Sequence, residues 1–218
     1  EELMRFKWNR LFALPFQRSF YNDHTSYFMK DDHDVGFDDS YPGKDFGTVS
    51  FERGLEIFDE EQFPSYSKRH KTIRWGKDLQ IWIVEGRNYR NQNYLKDGPD
   101  KTIWGSAQKQ WFFDTVNDSD ASFKVLITSS PILGPDRKNK NDNLSNTGYA
   151  HEQAEILNFI KKQKNLFIVN GDRHWQYVTN IKDTNLREFG CGAGADVHAG
   201  GWKKEDFRPE HQFIRVKG

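Results

Sequence analysis

The sequence predicts an α/β fold, in which strands and helices alternate along the chain. Three β-prone runs carry this prediction, at residues 79–84, 123–128 and 165–170. The segments 107–117 and 151–164 lie among these runs and repeat apolar residues at helical spacing. Strands that alternate with helices in this way are typical of a sheet that is covered by helices.

The chain before the first of these strands is expected to be less regular. Residues 2–14 predict an amphipathic helix that Pro15 ends. Residues 26–29 form a short β-prone run that leads into an acidic turn. The stretch 35–72 is rich in Gly, Asp and Ser, so we expect irregular connections there with one short helix near 52–58.

The remaining segments complete the predicted order of elements. Ser106 is expected to cap the helix that follows it. The stretch 134–148 has few apolar residues and predicts a loop that is mobile unless something binds it. Further β-prone runs follow at 175–181, 186–190 and 211–216.

Composition excludes several classes of protein. The 218 residues suit one domain, and Lys plus Arg balance Asp plus Glu at 32 each, so no basic excess indicates a nucleic-acid scaffold. No apolar run approaches the roughly 18–20 residues of a membrane span. Cys191 is the only cysteine, so any metal must be held by His and carboxylate side chains.

An acidic cluster follows the first β-prone run. It comprises Asp31, Asp32, His33, Asp34, Asp38 and Asp39. Five carboxylates this close repel one another unless a cation neutralises them, which favours a metal. An imidazole beside carboxylates suits a general acid. The alternative is that the cluster is a solvated turn.

A second group of polar residues follows the later strands. Asp172 and His174 come two positions apart after the strand at 165–170, where both can face one pocket and suit Zn²⁺, Fe or Mn²⁺. Arg87 follows the strand at 79–84 and can bind a phosphate or form a salt bridge with Glu85 or an acid of the cluster. Ser130 is a candidate phosphate-contacting hydroxyl.

The order of these motifs resembles that of the alkaline phosphatase D family of calcineurin-like metallophosphoesterases, from about residue 5 to residue 202. The resemblance is carried by YFMKDDHDVG at 27–36, EGR at 85–87, WGSAQKQWF at 104–112, FKVLI at 123–127 and NGDRH at 170–174. It implies a four-layer α/β/β/α sandwich that hydrolyses small phosphate mono- or diesters with two or more metal ions, either Fe, Ca, Zn or Mn.

The resemblance also implies a role for individual residues. Asp32 would contact metal and phosphate, His33 would protonate the leaving oxygen, and Asp34 would orient His33. Asp172 and His174 would be metal ligands. Asp38 stands where many relatives carry Asn and is a further candidate ligand. Arg87 matches an arginine that contacts phosphate in this family. Ser130 and His198 are candidate substrate contacts from their position in the sequence alone, and His198 is expected on a pocket wall with Trp202.

The sequence departs from the family pattern at both ends of the chain. The family's amino-terminal ligand motifs should precede the helix at 2–14, and relatives continue with further sheet beyond residue 218. We therefore expect residues 1–218 to form one incomplete catalytic domain, exported by family resemblance. The alternative is a non-catalytic, Ca²⁺-stabilised module that binds a ligand such as a carbohydrate.

Overall fold

A seven-stranded sheet forms the centre of the computed structural model, which describes residues 1–61, 70–137, 140–182, 184–192 and the strand at 211–214. The strands are β1 (Lys71–Trp75), β2 (Leu79–Ile83), β3 (Phe123–Thr128), β4 (Leu166–Asn170), β5 (Gln176–Ile181), β6 (Arg187–Cys191) and β7 (His211–Ile214). Their order in the sheet is β1-β2-β3-β4-β6-β5-β7.

The helices are α1 (Glu2–Ala13), α2 (Pro15–Asp23), α3 (Asp32–Val35), α4 (Phe51–Glu61), α5 (Ser106–Asn117) and α6 (Ala150–Ile160). Strands β2, β3, β4 and β6 are parallel, and β1, β5 and β7 are antiparallel to their neighbours. The predicted α/β class is confirmed. Within the described ranges, all the named strands belong to this one sheet.

The first third of the chain differs from the local predictions at three places. Pro15 ends α1 but also begins α2, because proline fits the first turn of a helix, where no backbone donor is needed. Residues 26–29 belong to no strand, and Phe28 instead packs against a small apolar core. The stretch 35–72 includes the beginning of β1, which pairs with β2 across a turn at Gly76.

Two apolar cores hold these elements in place. The larger core packs α5 and α6 against one face of the sheet through Trp82, Leu126 and Ile168. The smaller core joins α3 to α4 through Val35 and Phe51. This second core fixes α3, which carries the acidic cluster, against the longer helix α4.

Gly54 allows α3 and α4 to approach closely. A Cβ atom at Gly54 would lie 2.2 Å from the backbone oxygen of Val35, which is the last residue of α3. Any larger side chain would therefore push the two helices apart. The position of the acidic cluster thus depends on a glycine that lies outside it.

A buried carboxylate organises the chain after β3. Glu188 on β6 is fully buried and accepts hydrogen bonds from the backbone N–H groups of Ile132, Leu133 and Gly134 at 2.8–2.9 Å. The hydroxyl of Tyr177 donates to the same carboxylate at 2.8 Å. Burial acts to raise the pKa of Glu188, and these donors act against that rise. The turn after Pro131 is therefore held by one side chain.

We expect Glu188→Gln to lower the free energy of unfolding by about 2–3 kcal/mol, because the amide NH₂ group would face N–H donors and leave them unpaired. Urea denaturation followed by circular dichroism measures this change. Glu2→Gln, on the exposed face of α1, is the matched control and should change stability by less than about 0.5 kcal/mol. Equal stability of the Glu188 variant and the parent would contradict the anchoring role.

Candidate functional site

Charged residues from α3 and from the carboxyl end of β2 meet at one edge of the sheet. Arg87 follows β2 and is 2% exposed. Its Nε donates to Asp31 Oδ1 at 2.5 Å, and its Nη2 lies 3.7 Å from Asp32 Oδ2. The salt bridge that the sequence left open for Arg87 is therefore present, and it joins the start of α3 to the β2 strand end.

Helix α3 is a single turn that its own carboxylates stabilise, where the sequence predicted only an acidic turn. Asp31 and Asp34 form a capping box, in which Asp34 Oδ2 accepts from the Asp31 backbone N–H at 2.8 Å. Asp32 accepts from the backbone N–H groups of His33 at 3.0 Å and Asp39 at 2.7 Å. These bonds fix the direction of each carboxylate.

His33 faces Asp38 and not Asp34. Its Nε2 lies 3.7 Å from Asp38 Oδ1, and both side chains are exposed. Among the described residues, no hydrogen bond joins Asp34 to His33, because the Asp34 carboxylate serves the capping box. Within the described ranges, no hydrogen bond therefore supports the expected orientation of His33 by Asp34. Asp38 takes the position beside the ring.

Asp32, His33 and Asp38 together fit a metal ion. One ligand atom from each lies within 4.8 Å of the other two. Carboxylate oxygens with an imidazole nitrogen suit Zn²⁺, Fe or Mn²⁺. Asp32 is buried while the other two are exposed, so the site would open to solvent on one side.

The acids around α3 carry negative charge that the protein only partly offsets. Burial raises the pKa of Asp34 to about 6, and the charges of Asp31 and Asp32 add to the rise. Burial also acts to raise the pKa of Asp32, but Arg87 and the backbone N–H of Asp39 hold it below its ordinary value. A cation beside α3 would relieve the remaining repulsion.

Asp172 lies at the end of β4 in a strained backbone conformation. Its φ is +65°, a region that Asp adopts far less often than Gly. Its Oδ2 lies 2.7 Å from Arg173 Nη1. Burial raises its pKa to about 7, with further contributions from the charges of Asp31 and Asp142. Asp172 therefore belongs electrostatically to the same site as Asp31 and Arg87.

Arg173 binds the loop at 134–148, which the sequence predicted to be mobile unless bound. Its Nη2 donates to Asp136 Oδ2 at 2.8 Å and to Asp142 Oδ1 at 2.9 Å. Asn143 and Asn146 donate to the same two carboxylates from within the loop. One guanidinium thus connects the β4 strand end to a buried polar network.

The sequence pattern did not indicate a role for Arg90, although this residue lies only three positions after Arg87. It is buried, and its Nη2 donates to Asn93 Oδ1 at 2.6 Å and to the Asp142 backbone oxygen at 2.7 Å. Burial and the charge of Arg87 lower its pKa. Arg90 Nε and Nη1 and Arg87 Nη1 have no hydrogen-bond partner within the described ranges. Such a pair of guanidinium groups favours an anion.

The other predicted site residues lie in different surroundings. Ser130 is buried, and its backbone oxygen accepts from the Thr128 hydroxyl at 2.8 Å. His174 is half-buried on the turn between β4 and β5. His198 and Trp202 lie outside the described residues.

A buried ion pair is formed by residues that are close in sequence to Asp31 and Arg87. Lys30 Nζ is 2.8 Å from Glu85 Oε2, and the two side chains are 0% and 4% exposed. The backbone N–H of Glu85 donates to Gln108 Oε1, and Gln108 Nε2 donates back to the Glu85 oxygen. The ion pair thereby connects Lys30, the residue before Asp31, to the strand end that carries Arg87.

The sheet, the acidic cluster on α3 and the buried arginines together define an α/β phosphoesterase-like protein. The chain belongs to the PhoD-like phosphatase family, whose model matches residues 58–214. The family membership that the motifs suggested is thus confirmed. Residues 31–39 precede the matched segment, so their roles rest on the geometry described above.

Two relatives illustrate this membership. The chain is 23% identical over 214 residues to alkaline phosphatase D of Bacillus subtilis (strain 168), with 78% of this chain covered. A solved structure of PhoD has a TM-score of 0.61 and 19% identity over 75% of this chain, which supports the fold. The chain spans 35% of the first relative and 38% of the second. Within the described ranges, none of the helices is long and apolar enough to cross a membrane.

Proposed function

We propose that residues 1–218 form part of a catalytic domain that hydrolyses small-molecule phosphate mono- or diesters with the help of metal ions. One observation carries the proposal: three potential metal ligands lie within 4.8 Å of one another, and one of them, Asp32, also lies beside the buried Arg87. The expected export of the protein stays a prediction.

Several residues would hold the ions. Asp32 and Asp38, with or without His33, would bind one, and Asp172 with His174 would contribute to a second. When bound, such ions would supply a hydroxide nucleophile at neutral pH and offset the charge of the phosphoryl oxygens. Burial, with the charges of Asp31 and Asp142, raises the pKa of Asp172 to about 7, and a cation beside Asp172 would favour its charged form.

Arg87 would bind the phosphoryl group. Its Nη1 is buried and has no hydrogen-bond partner in the part of the chain that the structure describes. Its Nε and Nη2 face Asp31 and Asp32, which fix the plane of the guanidinium. Burial acts to lower the pKa of Arg87, but the two carboxylates outweigh it and keep the group charged. A fixed positive charge would stabilise the charge that develops on the phosphoryl oxygens.

His33 would donate the proton that the leaving oxygen needs. The imidazole is exposed, so a bound ester can reach it, and its Nε2 lies 3.7 Å from Asp38 Oδ1. A neutral alcohol then leaves in place of an alkoxide. Asp34 would act on the position of His33 only through the backbone of α3.

Hydrolysis of p-nitrophenyl phosphate and bis(p-nitrophenyl) phosphate by the full-length, metal-loaded protein tests the proposal. We expect turnover that a chelator abolishes and that added Fe, Ca²⁺, Zn²⁺ or Mn²⁺ restores. If neither ester is hydrolysed under any of these metals, the proposed function is wrong. A fall in melting temperature with chelator, but no hydrolysis, would instead support the Ca²⁺-stabilised binding module.

A further inference from the structure

A mainly apolar cavity of about 630 Å³, whose wall also includes Glu1 and Lys7, adjoins the candidate proton donor. Helix α1 and the segment 46–49 form most of its wall, and the apolar side chains that line it are Leu3, Met4, Trp8, Leu11, Phe46 and Val49. His33 and Asp34 line the same cavity. Its volume lies within the range of small-molecule pockets, roughly 300–1,000 Å³.

The position of His33 determines which part of a substrate this cavity can receive. A general acid must lie within hydrogen-bond reach of the oxygen that leaves, so the group attached to that oxygen begins at His33. Arg87, which would bind the phosphoryl group, is not among the residues that line the cavity. A cavity that begins at His33 and not at Arg87 would therefore receive the leaving group.

We propose that this cavity binds the alkyl chain of a long-chain alcohol that is esterified to phosphate, an inference that rests on the proposed function. In the reaction, the bond from phosphorus to the ester oxygen breaks, and water supplies a hydroxyl group to phosphorus. His33 passes its proton to the departing oxygen, which leaves as the alcohol. The proton that water loses restores His33 through solvent.

The chain length of the substrate provides the test. Burial of a methylene group is expected to raise kcat/KM by up to about fourfold, and less where the cavity is open to solvent. Between ethyl phosphate and octyl phosphate, both below their micellar concentrations, we expect a rise of about 30-fold. Phosphate release by the full-length, metal-loaded protein measures this dependence.

A double variant of α1 removes apolar lining and leaves the candidate catalytic residues in place. Leu3 and Leu11 are 64% and 36% exposed, so Leu3→Gln with Leu11→Gln should leave the fold intact. We expect the rise in kcat/KM from ethyl to octyl phosphate to fall below about threefold in this double variant. Phe6→Gln is the matched control, because Phe6 is 59% exposed on the same helix but does not line the cavity.

A binding measurement separates this inference from the proposed function. Calorimetry measures the binding of ethylphosphonate and octylphosphonate even where no turnover occurs. The octyl compound should bind more tightly to the parent and to Phe6→Gln than to the double variant. Chain-length-dependent binding without hydrolysis would refute the proposed function alone. Hydrolysis whose rate is independent of chain length, with equal binding of both phosphonates, would overturn the assignment of the cavity.

Discussion

Substitution of His33 by Gln is expected to lower kcat by about 10²–10⁴ for an alkyl phosphate, with a much smaller change in KM. The imidazole is exposed and would act on the leaving oxygen in the transition state, so its loss removes catalysis and not ground-state binding. The effect on p-nitrophenyl phosphate should be smaller, because p-nitrophenolate leaves readily without a proton. Steady-state kinetics on both esters measures the contrast.

The same variant decides whether His33 is an acid or a metal ligand. The group of Asp32, His33 and Asp38 permits either role. A general acid predicts an unchanged metal content in His33→Gln, together with a larger loss of kcat for the alkyl phosphate than for p-nitrophenyl phosphate. Reduced metal content with equal rate losses on both esters would overturn the general-acid role and support ligation. His151→Gln, on the half-exposed start of α6, is a control that should alter neither.

Substitution of Lys30 by Met is expected to lower the free energy of unfolding by about 3–5 kcal/mol. The ammonium group lies 2.8 Å from Glu85, and both side chains are buried, so the variant leaves a buried carboxylate without this counter-charge. Urea denaturation measures the change. Lys96→Met, at an exposed lysine, should change stability by less than about 0.5 kcal/mol.

A double-mutant cycle tests the ion pair itself. Lys30→Met combined with Glu85→Gln removes both charges, so it should be more stable than the sum of the two single changes predicts. Strict additivity would show that the two side chains do not stabilise each other. Because Lys30 precedes Asp31 and Glu85 lies two residues before Arg87, we also expect the single variants to weaken phosphate binding.

The pairing of Arg87 shows how far local sequence could define the site. Its place after a strand indicated a residue at the rim, since polar residues at the carboxyl ends of parallel strands share one edge of a sheet. The sequence offered Glu85 or a cluster acid as its partner, and the structure selects Asp31. Arg90 was missed because nothing in the local pattern separates a buried arginine from a solvated one.

The sequence by itself determined the α/β class, most of the strands and the cluster of acids on α3, because periodicity and turn residues act over a few positions. Only the tertiary structure decided that Asp38 faces His33 and that Arg173 binds the loop at Asp136 and Asp142. It also decided that α1 lines a mainly apolar cavity beside His33. These contacts join residues whose approach depends on the packing of whole elements, and a periodic pattern within one segment carries no information about that packing.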